Sequence, residues 1–150
     1  MIFLYLFLLI AGILNTIQTG SNSTMHKHLQ HPIVPGLVTF AGGLLTLSVA
    51  LLVYSVSTHT PLPTKAQWLS APWWAWIGGC MGAVYVLAMV NVSGKVGAGV
   101  FIGITVTAAI LTSLAMDQWG LLGFKQHTAS PLRLLGGALM IGGLMLVAKF

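Results

Sequence analysis

Five apolar segments separated by polar stretches make up most of this chain. The segments run from Ile2 to about Thr19, Ile33 to Val56, Trp74 to Val92, Val96 to Met116, and Leu132 to Ala148. The polar stretches between them are Ser21 to His31, Ser57 to Pro72, a tight turn at Asn91 to Lys95, and Asp117 to Ser130. No segment alternates with a period of two, and the lengths approach the roughly 20 residues that a membrane-spanning helix needs. The pattern therefore predicts an all-α membrane protein with five transmembrane helices in a single domain, residues 1–150.

The composition excludes a water-soluble fold. Hydrophobic residues make up 57% of the chain and charged residues 5%, and the mean hydropathy is +0.95. A soluble domain carries about 25% charged residues, and a core of this size cannot bury so much apolar surface. Membrane lipid is therefore an expected partner. The opening segment has no basic region before it and no small-residue cleavage signal after it, so we expect a retained helix rather than a signal peptide.

The basic residues are divided evenly between the two predicted faces. One face, which holds the amino terminus, carries Lys65, Lys125 and Arg133, and the opposite face carries Lys27, Lys95 and Lys149. An excess of Lys and Arg on one side normally fixes orientation, and three against three gives no excess. We therefore expect insertion in both orientations and an antiparallel homodimer, which supplies in two chains the inverted repeat that many transporters carry in one. The alternative is a single orientation fixed by something other than charge.

Polar side chains within the spans are candidates for the functional site, because they are costly in a bilayer. Asn15, Gln18 and Asn22 are spaced i, i+3, i+7, which places three uncharged amides on one face of the first helix. They either line a path for a polar solute or hydrogen-bond to neighbouring helices. Tyr85, near the middle of the third span, is a candidate for substrate contact by hydrogen bonding or cation–π attraction. Trp74 is a candidate cavity wall, whereas the other tryptophans fit an interfacial belt.

Asp117 is the only acidic residue in the chain, and it follows the fourth predicted span. Proton-coupled exporters of this size commonly use a carboxylate within the membrane, and no other residue here supplies one. Asp117 therefore either has a direct role in transport or forms an interfacial ion pair with Lys125 or Arg133, which lie on the same predicted face.

Other classes of function lack their characteristic residues in this sequence. There is no Ser-His-Asp order, no pair of carboxylates and no phosphate-binding loop, so an enzyme is not expected. The scattered basic residues form no patch, so a nucleic-acid partner is not expected either. His26, His28 and His31 share one connection but match no metal-ligand spacing, so we expect solvated histidines, no metal and no cofactor. Cys80 is alone and cannot form a disulfide within the chain.

Motifs in both halves of the chain carry a resemblance to a known family. The first half has Gln18, Asn22, Pro32, Thr39-Phe40 and Gly43, then the block from Pro72 to Gly79, Gly82-Ala83 and Tyr85-Val86. The second half has Gly97-Ala98, Ser113, the block from Asp117 to Gly123, and Arg133 to Gly136. With these motifs the chain resembles, from Gln18 to Gly143, the YdcZ-like family, a five-helix branch of the drug/metabolite transporter superfamily in bacterial inner membranes.

The resemblance implies a multi-pass inner-membrane transporter that works as a dual-topology homodimer, an oppositely oriented pair or a fused duplicate. It places five residues on polar positions typical of the family, namely Gln18, Asn22, Tyr85, Ser113 and Asp117. Where the family usually has a Gly-Gln pair in the fourth span, this chain has Ala108-Ala109. An amide at membrane depth is therefore missing, and either Asn15 substitutes for it or the substrate is different or more apolar.

Together these observations predict an exporter of a small amphipathic or hydrophobic solute that works by alternating access. The cavity is expected at the two-fold axis of the dimer, lined by Asn15, Gln18, Asn22, Tyr85 and Trp74, with Ser113 as a further candidate. The alternative is a non-transporting membrane protein that binds or scrambles lipid, or an accessory subunit of a larger complex. The predicted partners are membrane lipid, a second copy of the chain and a small-molecule substrate.

Overall fold

A computed structural model describes residues 1–123, 126 and 130–150 of the protein, and the regular structure of this part is helical. The α-helices are α1 (Ile2–Leu29), α2 (Val34–Thr58), α3 (Lys65–Ser70), α4 (Gly78–Val96), α5 (Ala98–Trp119) and α6 (Pro131–Lys149). Two short 3₁₀ helices cover Trp73–Ile77 and Leu121–Gly123.

The prediction of five transmembrane helices is confirmed. Five helical segments are long and apolar enough to cross a membrane: Ile2–Leu29, Val34–Thr58, Trp73–Val96, Ala98–Trp119 and Pro131–Lys149. Within the most apolar part of each, between 6% and 17% of the residues are buried. Exposing apolar surface to water costs about 25 cal/mol per Å², a cost that hydrocarbon removes. The chain is therefore a multi-pass membrane protein whose helices expose apolar side chains along most of their length.

The first helix is longer than the sequence pattern predicts. The prediction of an end near Thr19 and a connection from Ser21 to His31 was wrong, because α1 continues to Leu29. Polar residues in this part do not break the helix, and some of their side chains bond to its own backbone. Thr24 Oγ1, for example, donates to the Gly20 carbonyl oxygen at 2.9 Å. At about 1.5 Å per residue α1 is about 42 Å long, more than the roughly 30 Å of hydrocarbon in a bilayer.

The predicted tight turn at Asn91–Lys95 is also wrong, because α4 runs through it to Val96. Asn91 Nδ2 donates to the Leu87 carbonyl oxygen at 2.8 Å, one helical turn back, so this residue supports the helix instead of ending it. The break falls at Gly97, whose φ of +90° is open to glycine and disfavoured for residues with a side chain.

The predicted connection Ser57–Pro72 contains the short helix α3. The Thr64 side chain accepts from the Gln67 backbone N–H at 3.4 Å, and the Gln67 side chain accepts from the Thr64 backbone N–H at 2.7 Å. This reciprocal pair is a capping box, which satisfies donors that the start of a helix leaves unbonded. The third span then begins with the 3₁₀ helix at Trp73, one residue earlier than predicted.

The last two spans also differ slightly from their predicted bounds. α5 continues to Trp119, so Asp117 lies within the helix, and Gly120 ends it with a φ of +61°. α6 begins at Pro131, and its first turn is capped by Ser130, whose hydroxyl accepts from the Arg133 backbone N–H at 3.3 Å.

The described chain divides into two compact units. The central unit comprises residues 17–92, and the terminal unit comprises residues 1–16 and 93–150. In the central unit the buried apolar side chains include Val86, Met89 and Val90 on α4 and Pro35 on α2. In the terminal unit Phe101 is buried on α5.

Candidate functional site

One face of α1 is withdrawn from the surface. Thr19 is fully buried and Asn22 is 3% exposed. Asn15 and His26 are half-buried. Spacings of four, three and four residues put these side chains on one side of an α-helix. Gln18, predicted for the same face, is exposed. The buried face therefore includes Asn15 and Asn22 of the three predicted amides, and adds Thr19 and His26.

Asn22 joins three helices of the central unit through its side-chain amide. Thr39 Oγ1 on α2 donates to Asn22 Oδ1 at 2.7 Å. Asn22 Nδ2 donates to Met89 Sδ on α4 at 3.4 Å. The Thr39 hydroxyl also lies 2.9 Å from the Pro35 carbonyl oxygen on its own helix. A hydroxyl has one hydrogen, so these two acceptors share it. We call Asn22, Thr39 and Met89 the amide cluster.

The first turn of α2 packs closely on α4 next to the amide cluster. Pro35 and Gly36 are both buried in that turn. A Cβ built on Gly36 would lie 3.6 Å from Val86 Cγ1, an ordinary van der Waals distance. Met89 and Val90, on the following turn of α4, are each 1% exposed. The amide cluster is thus surrounded by well-packed apolar groups, where an unbonded polar atom would be costly.

Two histidines hold the connection between α1 and α2. His31 Nδ1 accepts from the backbone N–H groups of Ile33 and Val34, at 3.2 Å each. It therefore caps the start of α2, where N–H groups have no partner within the helix. His26 Nδ1 lies 3.2 Å from the His31 carbonyl oxygen, a contact in which the ring nitrogen is the donor.

The same connection is tied to α4 as well. Asn91 Nδ2 donates to the Pro32 carbonyl oxygen at 3.0 Å. His31 is exposed in the connection, as expected, and also caps α2. The expectation of a solvated loop histidine is wrong for His26, which lies within α1 and is half-buried. His28 is exposed, as expected.

Tyr85 and Trp74 lie on the α4 side of the central unit. Tyr85 is half-buried and precedes Met89 by four residues, so both side chains lie on the same side of α4. Trp74 is 38% exposed in the 3₁₀ helix that leads into α4. Nearby, the Trp68 and Trp76 rings stack with their centroids 5.3 Å apart. They border a cavity of about 260 Å³.

Asp117 and Arg133 form an ion pair in the terminal unit. Arg133 Nη1 lies 3.5 Å from Asp117 Oδ2, and the two side chains are 42% and 26% exposed, respectively. Asp117 lies in the last turn of α5, where the helix dipole disfavours a negative charge, and the guanidinium offsets this effect. Lys125, the other partner predicted for Asp117, lies outside the described residues. Ser113 is exposed on α5, and its hydroxyl donates to the Ile110 carbonyl oxygen at 2.8 Å.

α5 and α6 pack against each other in antiparallel fashion. A Cβ built on Gly103 would collide with Leu144 Cδ1, and one on Gly137 would lie 3.2 Å from Leu111 Cδ2. Beside this contact runs an open groove of about 350 Å³ with almost wholly apolar walls. Its lining includes Gly99, Ile102, Val106, Met140, Gly143 and Val147.

These arrangements offer uncharged hydrogen-bonding groups and apolar surface. Within residues 1–123, 126 and 130–150, every buried side-chain nitrogen or oxygen has a hydrogen-bond partner. The same residues contain no group of three or more His, Cys, Asp or Glu side chains able to hold a metal ion. The buried polar groups of the amide cluster are therefore already bonded to one another.

Sequence reasoning identified Asn22 but missed its partners. A threonine within a helix commonly bonds to its own backbone, as Thr39 does. Its second acceptor, across the helix interface, has no sequence signal. Met89 reads as an ordinary apolar residue. Thr19 and His26 were detectable, because with Asn15 and Asn22 they follow the spacing of one helical face, but the helix was expected to end before His26.

Comparison with known proteins identifies a family to which the chain is similar. The sequence profile of the family described as "Putative inner membrane exporter, YdcZ" matches residues 3–146. No curated protein and no solved structure matches the chain.

Proposed function

This chain belongs to the YdcZ family of inner membrane exporters, and from that premise we propose that it exports a small amphipathic or hydrophobic solute by alternating access. The family is a class of multi-pass inner membrane transporters and not a class of enzymes. The proposal concerns what the family description leaves open, namely the substrate, the assembly and the residues that contact the solute.

The surface of α4 beside the amide cluster is the observation that carries the substrate class. It presents the half-buried ring and hydroxyl of Tyr85 within helices that otherwise expose apolar side chains. The central unit contains no Asp or Glu, so it offers no carboxylate to a strongly cationic solute. Hydrogen-bonding groups on an apolar background suit a solute with a polar part and an apolar part.

In this proposal Tyr85 and Trp74 contact the solute, and Asn22 holds the helices that present them. Asn22 is nearly inaccessible and both ends of its amide are bonded, which suits a residue that fixes helix positions. Tyr85 lies on the same side of α4 but is only half-buried, so its ring is accessible. Asn15, Gln18, Ser113 and Asp117 stay sequence-based candidates for the path.

We further propose that two oppositely inserted chains form the transporting unit. The support is the equal division of basic residues between the two faces, which gives neither orientation an advantage. Two identical chains related by a two-fold axis in the membrane plane make the inward-open and outward-open states equal in energy. Such symmetry lets the assembly alternate without a built-in preference for one state.

Flux through purified protein in liposomes tests the export proposal. Vesicles are loaded with a radiolabelled neutral amphiphile or with an uncharged hydrophobic dye, and release is followed over time. We expect Tyr85→Phe to slow release of a transported solute about fivefold, the effect of one lost hydrogen bond of about 1 kcal/mol. Tyr54→Phe is the matched control, because Tyr54 is 57% exposed on α2 and its loss of a hydroxyl should change nothing.

Release no faster than from protein-free vesicles, for every solute, would contradict the export proposal. The same vesicles, prepared with a fluorescent lipid in one leaflet, then test the alternative. Lipid movement between leaflets without solute release would indicate a lipid-scrambling protein, a function that the apolar groove between α5 and α6 also suits.

A further inference from the structure

The groove between α5 and α6 contains open space where a side chain would be expected. A Cβ built on Gly143, which lines the groove, would meet no atom within 4 Å. At Gly103, on the opposite wall, a Cβ would collide with Leu144. The Leu144 side chain therefore fills the groove next to Gly103, and the groove is empty next to Gly143. With about 350 Å³ and apolar walls, it is near the lower end of the range of small-molecule sites.

One end of the groove is positively charged. A Cβ on Gly99 would lie 3.9 Å from Val147 Cγ1, so the start of α5 and the end of α6 lie side by side there. Lys95 precedes this point and Lys149 follows it, and both side chains are exposed. The start of α5 and the end of α6 place opposite ends of two helix dipoles at the same point, so the positive charge there comes from the two lysines.

The opposite end of the α5–α6 pair has a different charge arrangement. The chain's only acidic residue, Asp117, lies in the last turn of α5 and is paired with Arg133 at the start of α6. The two lysines at the Gly99 end therefore have no acidic residue beside them on α5 or α6. Lys149 Nζ lies 5.4 Å from the centroid of the Phe150 ring, a cation–π contact that leaves its charge in place.

We propose that this groove binds one anionic phospholipid, with an acyl chain along Gly143 and the phosphate between Lys95 and Lys149. The apolar walls of the groove suit an acyl chain. The two lysines at its Gly99 end suit a phosphate, and both features lie on helices that span the membrane. The bilayer itself supplies molecules of this chemistry at high concentration. Juxtamembrane basic residues attract anionic lipid by about 1 kcal/mol each. The site does not depend on the proposed transport function, since lipid binding is measured without flux.

Lipid retention by the full-length protein in mild detergent tests the proposal. Phosphatidylglycerol or phosphatidylcholine with identical acyl chains is added, and bound lipids per chain are counted by native mass spectrometry. We expect the wild-type protein to retain one phosphatidylglycerol, with roughly 25-fold preference over phosphatidylcholine, from about fivefold for each lysine. Replacing both lysines, Lys95→Gln with Lys149→Gln, should remove this preference.

Two neighbouring glycines supply a matched pair for the acyl-chain part of the site. Gly143→Leu fills the open space and should abolish retention of both lipids. Gly142→Leu makes the same change one position away, outside the groove lining and also in open space, and should leave retention unchanged. Helix content and the thermal midpoint of each variant are measured first. If Gly143→Leu does not fold, the double lysine variant decides the question alone.

Equal retention of the two lipids by the wild-type protein would overturn the proposal. So would unchanged phosphatidylglycerol binding in the double lysine variant, or equal loss of binding in the two glycine variants. If Gly143→Leu alters the oligomeric state and leaves lipid retention intact, the occupant is a second copy of the chain and the assignment to lipid is wrong.

Discussion

A buried amide in an apolar surrounding is stable when both of its ends are bonded, and Asn22 meets this condition through two other helices. Its oxygen accepts from Thr39 on α2 and its nitrogen donates to Met89 on α4. The sulfur contact is a weak one, since a thioether is a poor acceptor. At the scale of single residues, the hydroxyl of Thr39 is therefore the partner on which Asn22 depends most.

Thr39→Val is expected to destabilise the protein by about 1–3 kcal/mol, because it leaves the Asn22 oxygen buried without a donor. Adding Asn22→Leu removes the unbonded oxygen. The double variant should therefore lose less stability than the sum of the losses in the two single variants. Unfolding in mixed detergent measures all three. Thr46→Val is the control, since Thr46 is exposed on α2 and bonds only to its own helix, at the Gly42 carbonyl. Equal losses for Thr39→Val and Thr46→Val would contradict this account of the cluster.

At the scale of helices, hydropathy predicted the five membrane spans but did not predict the residues at which the helices end. The spans were predictable because a helix in lipid needs a long run of apolar residues. All five spans, from Ile2–Leu29 to Pro131–Lys149, contain such a run. The ends were not, because a polar residue does not by itself end a helix. Thr24 in α1 and Asn91 in α4 lie within their helices, and each bonds to a carbonyl oxygen of its own helix.

The candidate site was predictable only in part for a related reason. An amide inside a span is visible in the sequence, so Asn22 was found. Its partners depend on which helices pack together, and hydropathy contains no such information. The short helix α3 was missed because Ser57–Pro72 is rich in proline, although Thr64 and Gln67 have the spacing of a capping box.

The contact between α5 and α6 depends on a buried glycine that has an exposed neighbour. A side chain at Gly137 would press on Leu111, whereas a side chain at Gly136 would meet nothing within 4 Å. Gly137→Leu is therefore expected to cost about 1–3 kcal/mol by overpacking. Gly136→Leu should be neutral or slightly stabilising, because leucine has the better helix propensity. Thermal midpoints in detergent measure both, and equal midpoints would show that this helix contact is not close packed.

At the scale of the whole molecule, the distribution of charge bears on how the chain inserts. The basic residues are few and equally divided between the two faces, and the single acid cannot shift that balance. The loss of any one lysine would create an excess on one face. We therefore expect the orientation of the chain to be sensitive to single charges. This is the behaviour of a chain that inserts both ways and pairs with an inverted copy.

Orientation in intact cells is the measurement that tests this account most directly. His28→Cys and Ala66→Cys, made separately in a Cys80→Ala background, place labels beside Lys27 and Lys65 at exposed positions without changing the lysine count. We expect a membrane-impermeant maleimide to label both sites from outside, each at partial yield. Adding Lys149→Gln should raise the yield at position 28 and lower it at position 66, because the face that carries Lys65 then holds the excess of positive charge. Full labelling at one site with none at the other would contradict dual insertion, and with it the antiparallel transporter.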